Sequence, residues 1–133
     1  MKAQVKLILS SILIAMSLSG FAQSTKVSKW VIDKNTSFTC QNLNYSEKSD
    51  TVIFQNNVNF NSVFVKIKDA EEILFNKHTN KLTILSPKKG VIEMNDNNNG
   101  MKLISEIPLN NEDNWNKVKC IEYTIGEHAV YAK

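Results

Sequence analysis

The sequence predicts an all-β protein: an antiparallel meander of short strands forming a folded-over sheet, a β-roll or a sandwich. Three observations lead there. Between Asp50 and Ser86 short apolar runs at 52–54, 58–60, 63–67, 73–75 and 82–85 follow one another, with polar turn material between them at 55–57, 61–62, 69–71 and 76–81. Within one run Val63, Val65 and Ile67 alternate with Lys66 and Lys68, the period of two expected of a strand with one wet face. No window of ten or more residues carries sustained helical periodicity with caps.

In chain order, residues 1–22 read as an export signal. Lys2 and Lys6 precede an apolar run at 7–18, and in Gly20-Phe21-Ala22 the outer two supply small residues at a cleavage position. That run is short of the roughly 20 apolar residues a spanning helix needs, and no later stretch approaches it, so no transmembrane segment is expected. Cleavage after Ala22 places Gln23, not a cysteine, at the first mature position, which favours a freely soluble exported protein over a lipid-anchored one. Residues 23–133 then form a single all-β domain of about 110 residues, enough for one small core.

Residues 30–33 read as a first strand, 37–40 as a second and 43–46 as a third, before the central meander. Pro87 to Gly90 is a turn, because Pro fixes φ and Gly frees it. Residues 91–94 and 101–107 read as a hairpin closed by the Asn-rich stretch 95–100. The polar connection 108–116 contains Trp115, which either covers the end of the core or forms a binding lip. Ile121, Tyr123 and Ile125 alternate with Glu122 and Thr124 as a late strand, and 129–131 forms the last.

Charge and chemistry narrow the function. The formal charge of +3 falls to about +1 once Lys2 and Lys6 leave with the signal, and every cation is Lys. Bidentate readout of phosphate and base edges relies heavily on Arg, which the chain lacks, and this argues against nucleic acid as a partner. His78 lies between Lys77 and Thr79 in a turn and His128 beside Glu127, and neither can be linked to a nucleophile. Asp69, Glu71 and Glu72 form an acidic knot whose adjacent members alternate in direction, and Asp96 lacks the ligand spacing of a calcium loop. The glycines at 20, 90, 100 and 126 make no phosphate loop. No enzyme, cofactor or metal is expected. Cys40 and Cys120 fit no zinc spacing. In an oxidising compartment they either pair, closing a loop of about 80 residues worth roughly 4 kcal/mol, or stay separate buried thiols.

The order of Asn57-Val58, then Ala70-Glu71-Glu72-Ile73-Leu74-Phe75, then Asn80-Lys81-Leu82 resembles the strand repeat of the organic-solvent-tolerance family of periplasmic lipopolysaccharide-transport proteins. The match covers about one repeat; Phe75 stands where that repeat usually has Tyr. The resemblance implies a folded-over antiparallel sheet, open at its edges, whose apolar inner face holds acyl chains. Carried onto this chain, the groove would be lined by Val63, Val65, Ile67, Ile73, Phe75, Leu82 and Ile84, with lipid or lipopolysaccharide as ligand and self-association through sheet edges. The same residues also suit an ordinary sandwich core. The resulting expectation is an exported, periplasmic, non-enzymatic lipid-binding or scaffold component of the envelope. Its alternative is a secreted β-sandwich binding protein or carbohydrate, with Trp115 and the Asn-rich loop at its rim. An enzyme using His78 or His128 is a third.

Overall fold

The computed structural model describes residues 27–95 and 100–133. Residues 1–22, expected to be an export signal, and Asp96 lie outside the described residues. Ten strands and one short helix follow in order: β1 Ser28–Asp33, β2 Thr36–Cys40, β3 Asn42–Ser46, β4 Thr51–Asn61, β5 Val65–Asn76, β6 Lys81–Leu85, β7 Ile92–Met94, β8 Lys102–Ser105, α1 Glu112–Trp115, β9 Cys120–Thr124 and β10 Ala129–Ala132. They form one open sheet in the order β1-β2-β4-β5-β6-β9-β10-β8, with β3 also paired to β4 and β7 to β5. The expected all-β fold is what the chain adopts.

Two of the polar trios do not end strands; they bend them. Asn56 and Asn57 take left-handed φ values of 69° and 54° inside β4, and Asp69 takes 55° inside β5. The β4–β5 register slips between Gln55 and Val58 and again between Val58 and Phe60. A bulge of this kind adds a residue to one strand and kinks it, and Asn and Asp tolerate the left-handed region because their short side chains bond locally. Asn59 Oδ1 accepts the Asp69 amide at 3.1 Å, which fastens the two bends together. Gln41 N donates to Asn56 O at 3.0 Å, so the β2–β3 junction turns on the same line.

Distances show how far the ribbon folds. Phe38 and Phe60 are ladder partners on β2 and β4. Phe54 precedes Phe60 by six residues, which in a straight strand would separate them by about 20 Å. Yet the Phe38 ring stacks on Phe54 at 4.2 Å between centroids and lies 4.8 Å from Phe60. β4 therefore doubles back. One layer holds β1, β2, the second half of β4, the first half of β5 and β7; the other holds β3, the remaining halves, β6, β9, β10 and β8. Phe38–Phe75 at 5.2 Å and Phe60–Tyr123 at 6.4 Å join the layers through their rings, each such pair adding about 0.5–1.5 kcal/mol beyond the area it buries.

Three further features differ from the expected meander. The hairpin of 91–94 with 101–107 does not form, because β7 pairs antiparallel with Val65 to Ile67 on β5, while β8 pairs with β10. The physical reason is that β6 covers β5 only from Glu72 onward, so the first half of β5 has a free edge beside a buried face that β7 completes. The β8–β10 pair is parallel, which makes the sheet mixed. The connection before β9 holds α1, capped by Asn111, whose Oδ1 accepts the Asn114 amide at 2.9 Å. Its carboxylates Glu112 and Asp113 sit in the first turn, where the helix dipole favours negative charge.

Candidate functional site

The residues that the resemblance would place along a groove come together, with one exception. Val65, Ile67, Ile73, Phe75, Leu82 and Ile84 are all buried in a single core with Phe38, Phe54 and Tyr123. Alternation carries them inward from β5 and β6. Val63 is the correction: it is 54% exposed. The sequence alternation is broken by Ser62, which is buried, and whose Oγ donates to Val65 O at 2.7 Å and accepts the Val65 amide at 3.1 Å. This tight loop spends the strand period on a bend and turns Val63 outward. Val63 borders an open crevice of about 450 Å³ together with Phe64, Lys66, Glu93 and Met94.

Trp115 is 6% exposed and packs into the core, so it covers the core's end and offers no lip to a partner. Cys40 and Cys120 are separate thiols, not a bridge. The ladder explains why. Stepping from Asn42 beside Cys40 through Gln55, Glu72 and Leu85 to Cys120 crosses four strand spacings, about 19 Å along the sheet, where a disulfide tolerates a Cα separation of roughly 7 Å. Burial pushes the Cys40 thiol up to about 11, and its Sγ donates to Asn42 O at 3.1 Å.

The candidate chemical groups stay apart. His78 is exposed in the β5–β6 turn, where its backbone amide donates to Asn76 Oδ1 at 2.9 Å. His128 lies elsewhere, its ring 5.0 Å from Phe64. In the acidic knot, Glu72 accepts from Gln55 Nε2 at 3.2 Å while Asp69 and Glu71 face solvent. Among the described residues no group of three His, Cys, Asp or Glu is placed to hold a metal ion, and no helix is long and apolar enough to cross a membrane.

Two polar constellations carry the most structure. On the outer face of β6, β9 and β10, Glu122 lies between Lys133 at 2.9 Å and Lys81 at 3.4 Å, beside a crevice of about 250 Å³. The Lys133 hydrogen bond, with the Lys81 charge behind it, holds the Glu122 carboxyl below the usual carboxylate range. At the end where β1 meets β3, Trp30 and Tyr45 stand 6.3 Å apart with a tilt of 40°. The Lys77 ammonium lies over both rings, 4.8 Å from Tyr45 and 5.7 Å from Trp30. The Tyr45 hydroxyl donates to Asp50 Oδ1 at 2.9 Å, and that bond holds the phenol above its ordinary pKa. Sequence reasoning missed this second group, because its members come from β1, β3 and two turns and share no local spacing.

In comparisons with known proteins, no family model, no curated protein and no solved structure matches the chain.

Proposed function

We propose that this chain is an exported, non-enzymatic component of a cell envelope that binds lipid or lipopolysaccharide, or scaffolds a partner, as its resemblance to the organic-solvent-tolerance family implies. The observation that supports this most is the folded-over sheet itself: two apolar faces closed on each other by bends at Asn56, Asn57 and Asp69, with β1 and β8 leaving the margins open. On this reading an acyl chain enters beside Val63, Phe64 and Met94, where the crevice borders the start of β5, and parts the layers as it goes in. The alternative of a secreted carbohydrate or protein binder loses its aromatic lip with Trp115 inside.

Native mass spectrometry of the protein taken from its own envelope tests the lipid reading. An acyl lipid retained at about one per chain is the expected result. A bare chain, together with no saturable uptake of a fatty-acyl probe by the purified protein, overturns it. Val63→Glu is the variant to use beside the wild type, since a charge there faces the crevice and leaves the core intact.

A further inference from the structure

We propose that Trp30, Tyr45 and Asp50 form a binding site for organic quaternary ammonium groups, held shut in the free protein by the chain's own Lys77. A cation of the chain itself already occupies the site. An ammonium sits over the faces of two aromatic rings at once, 4.8 Å from one and 5.7 Å from the other. Aromatic faces carry the negative part of the ring quadrupole, so two of them turned toward one point make a cation site. The Asp50 carboxylate, bonded to the Tyr45 hydroxyl at 2.9 Å, adds a full negative charge beside it.

The rings are set before any ligand arrives. Trp30 is on β1, where its backbone pairs with Phe38, and its ring also meets Phe54 edge-on at 6.4 Å. Tyr45 is on β3 opposite Val52. Asp50 is held in the left-handed region at φ 54°, with its carbonyl accepting the Lys77 amide at 2.9 Å. The occupant is the least fixed member. Lys77 belongs to an exposed turn, and Tyr45 is 42% exposed, so a cation from solution can reach the same faces.

Competition decides the ligand class. A lysine ammonium is compact and strongly hydrated, so it gains little from leaving water for a half-exposed ring. A quaternary ammonium has no N–H to keep hydrated and presents methyl groups to the rings, which is why aromatic cages take such cations. Lys77 has the advantage of being tethered, but an exposed cation–π contact is worth only a two- to fivefold factor. Its ammonium therefore acts as a weak latch that a better cation displaces. The proposal stands independently of the lipid reading, because the clamp lies at the β1–β3 end and shares no residue with the Val63 crevice.

The test titrates the full chain with tetramethylammonium chloride while following tryptophan emission, with sodium chloride as the ionic control. Saturable change with tetramethylammonium alone is expected. Lys77→Ala should tighten that binding about two- to fivefold, and Tyr45→Leu, which keeps Trp30 as the emitter, should abolish it. Should Tyr45→Leu fail to fold by circular dichroism, Asp50→Asn serves instead and should weaken the binding, since it removes the carboxylate charge and leaves both rings in place. A second arm separates two sources of the same chemistry: retention on phosphatidylcholine over phosphatidylglycerol vesicles assigns a lipid headgroup, while tetramethylammonium binding without vesicle retention assigns a soluble cation. An emission change indistinguishable from sodium chloride, or weaker binding in Lys77→Ala, overturns the proposal.

Discussion

Single residues in this protein are best told apart by pairs that look alike in the sequence and differ in the fold. Val63 and Val65 belong to one alternating run, yet Val65 is fully buried and Val63 is mostly exposed. Val65→Glu should therefore lose the cooperative unfolding transition altogether, because an unpaired carboxylate in the core costs several kcal/mol. Val63→Glu should shift the urea midpoint by no more than about 0.5 kcal/mol in stability. The two cysteines make a second pair. Cys40 is buried with its thiol pushed up to about 11, and Cys120 is half-buried at the head of β9. Iodoacetamide at pH 8 should label Cys120 well before Cys40, read by mass spectrometry. Since folding raises the Cys40 pKa above its ordinary 9.0, its contribution is complete below pH 9 and is lost as pH climbs toward 11. Stability read from denaturant unfolding should fall across that window; the raised Tyr45, Tyr123 and Lys133 groups push the same way, so Cys40→Ser should lessen the fall without removing it.

At the scale of elements, the bent strands β4 and β5 govern the rest. A left-handed residue with a branched side chain is strained by roughly 1–2 kcal/mol, whereas glycine adopts the same φ freely. Asn57→Val should accordingly destabilise the protein by about that amount in urea unfolding, and Asn57→Gly should lie within a few tenths of wild type. Equal effects of the two would mean that the bend is not carried by the backbone at this position. Most strand segments were legible in the sequence: the alternation at 65–67 and 121–124 and the apolar run at 82–85 lie in strands, while 63 and 64, read as part of the same alternation, form the bend before β5. The fold line was not, because Gln55-Asn56-Asn57 and Asp69-Ala70-Glu71 have the composition of a loop that ends a strand, and composition does not separate a terminus from a bulge. The pairing of β7 and β8 was illegible for a different reason. An Asn-rich stretch between two apolar runs is a sound local hairpin signal, but strands take the partner that buries more surface, and the free edges on β5 and β10 exist only once the ribbon has folded. The Trp30–Tyr45–Lys77 clamp is hidden likewise, its parts meeting only across the two layers.

Taken whole, the molecule is a ribbon of β4 and β5 wrapped by strands of decreasing support, and that gradient should be visible in how it opens. β4 and β5 pair with each other along their length and each carries further strands on its other edge. Among the described residues β1 pairs only with β2, and β8 only with β10, in a parallel ladder of four residues. Parallel pairing is slightly weaker per residue, and edge amides can exchange by local fraying without disturbing the core. Native-state hydrogen exchange should therefore show ladder-bonded amides of Phe54, Ile73 and Leu74 exchanging only through global unfolding, with β8 and β1 opening at lower free energy. Amides of Lys102 to Ser105 as slow as those of Ile73 would contradict this ranking. The same measurement bears on function, because unpaired strand edges are where another backbone can add on. If the chain works as an envelope scaffold through its margins, protection at β1 or β8 should rise in the presence of envelope extract while β4 and β5 stay unchanged. If instead lipid entry parts the layers, exchange should change around Val65 and Met94 beside the Val63 crevice and leave the margins as they were.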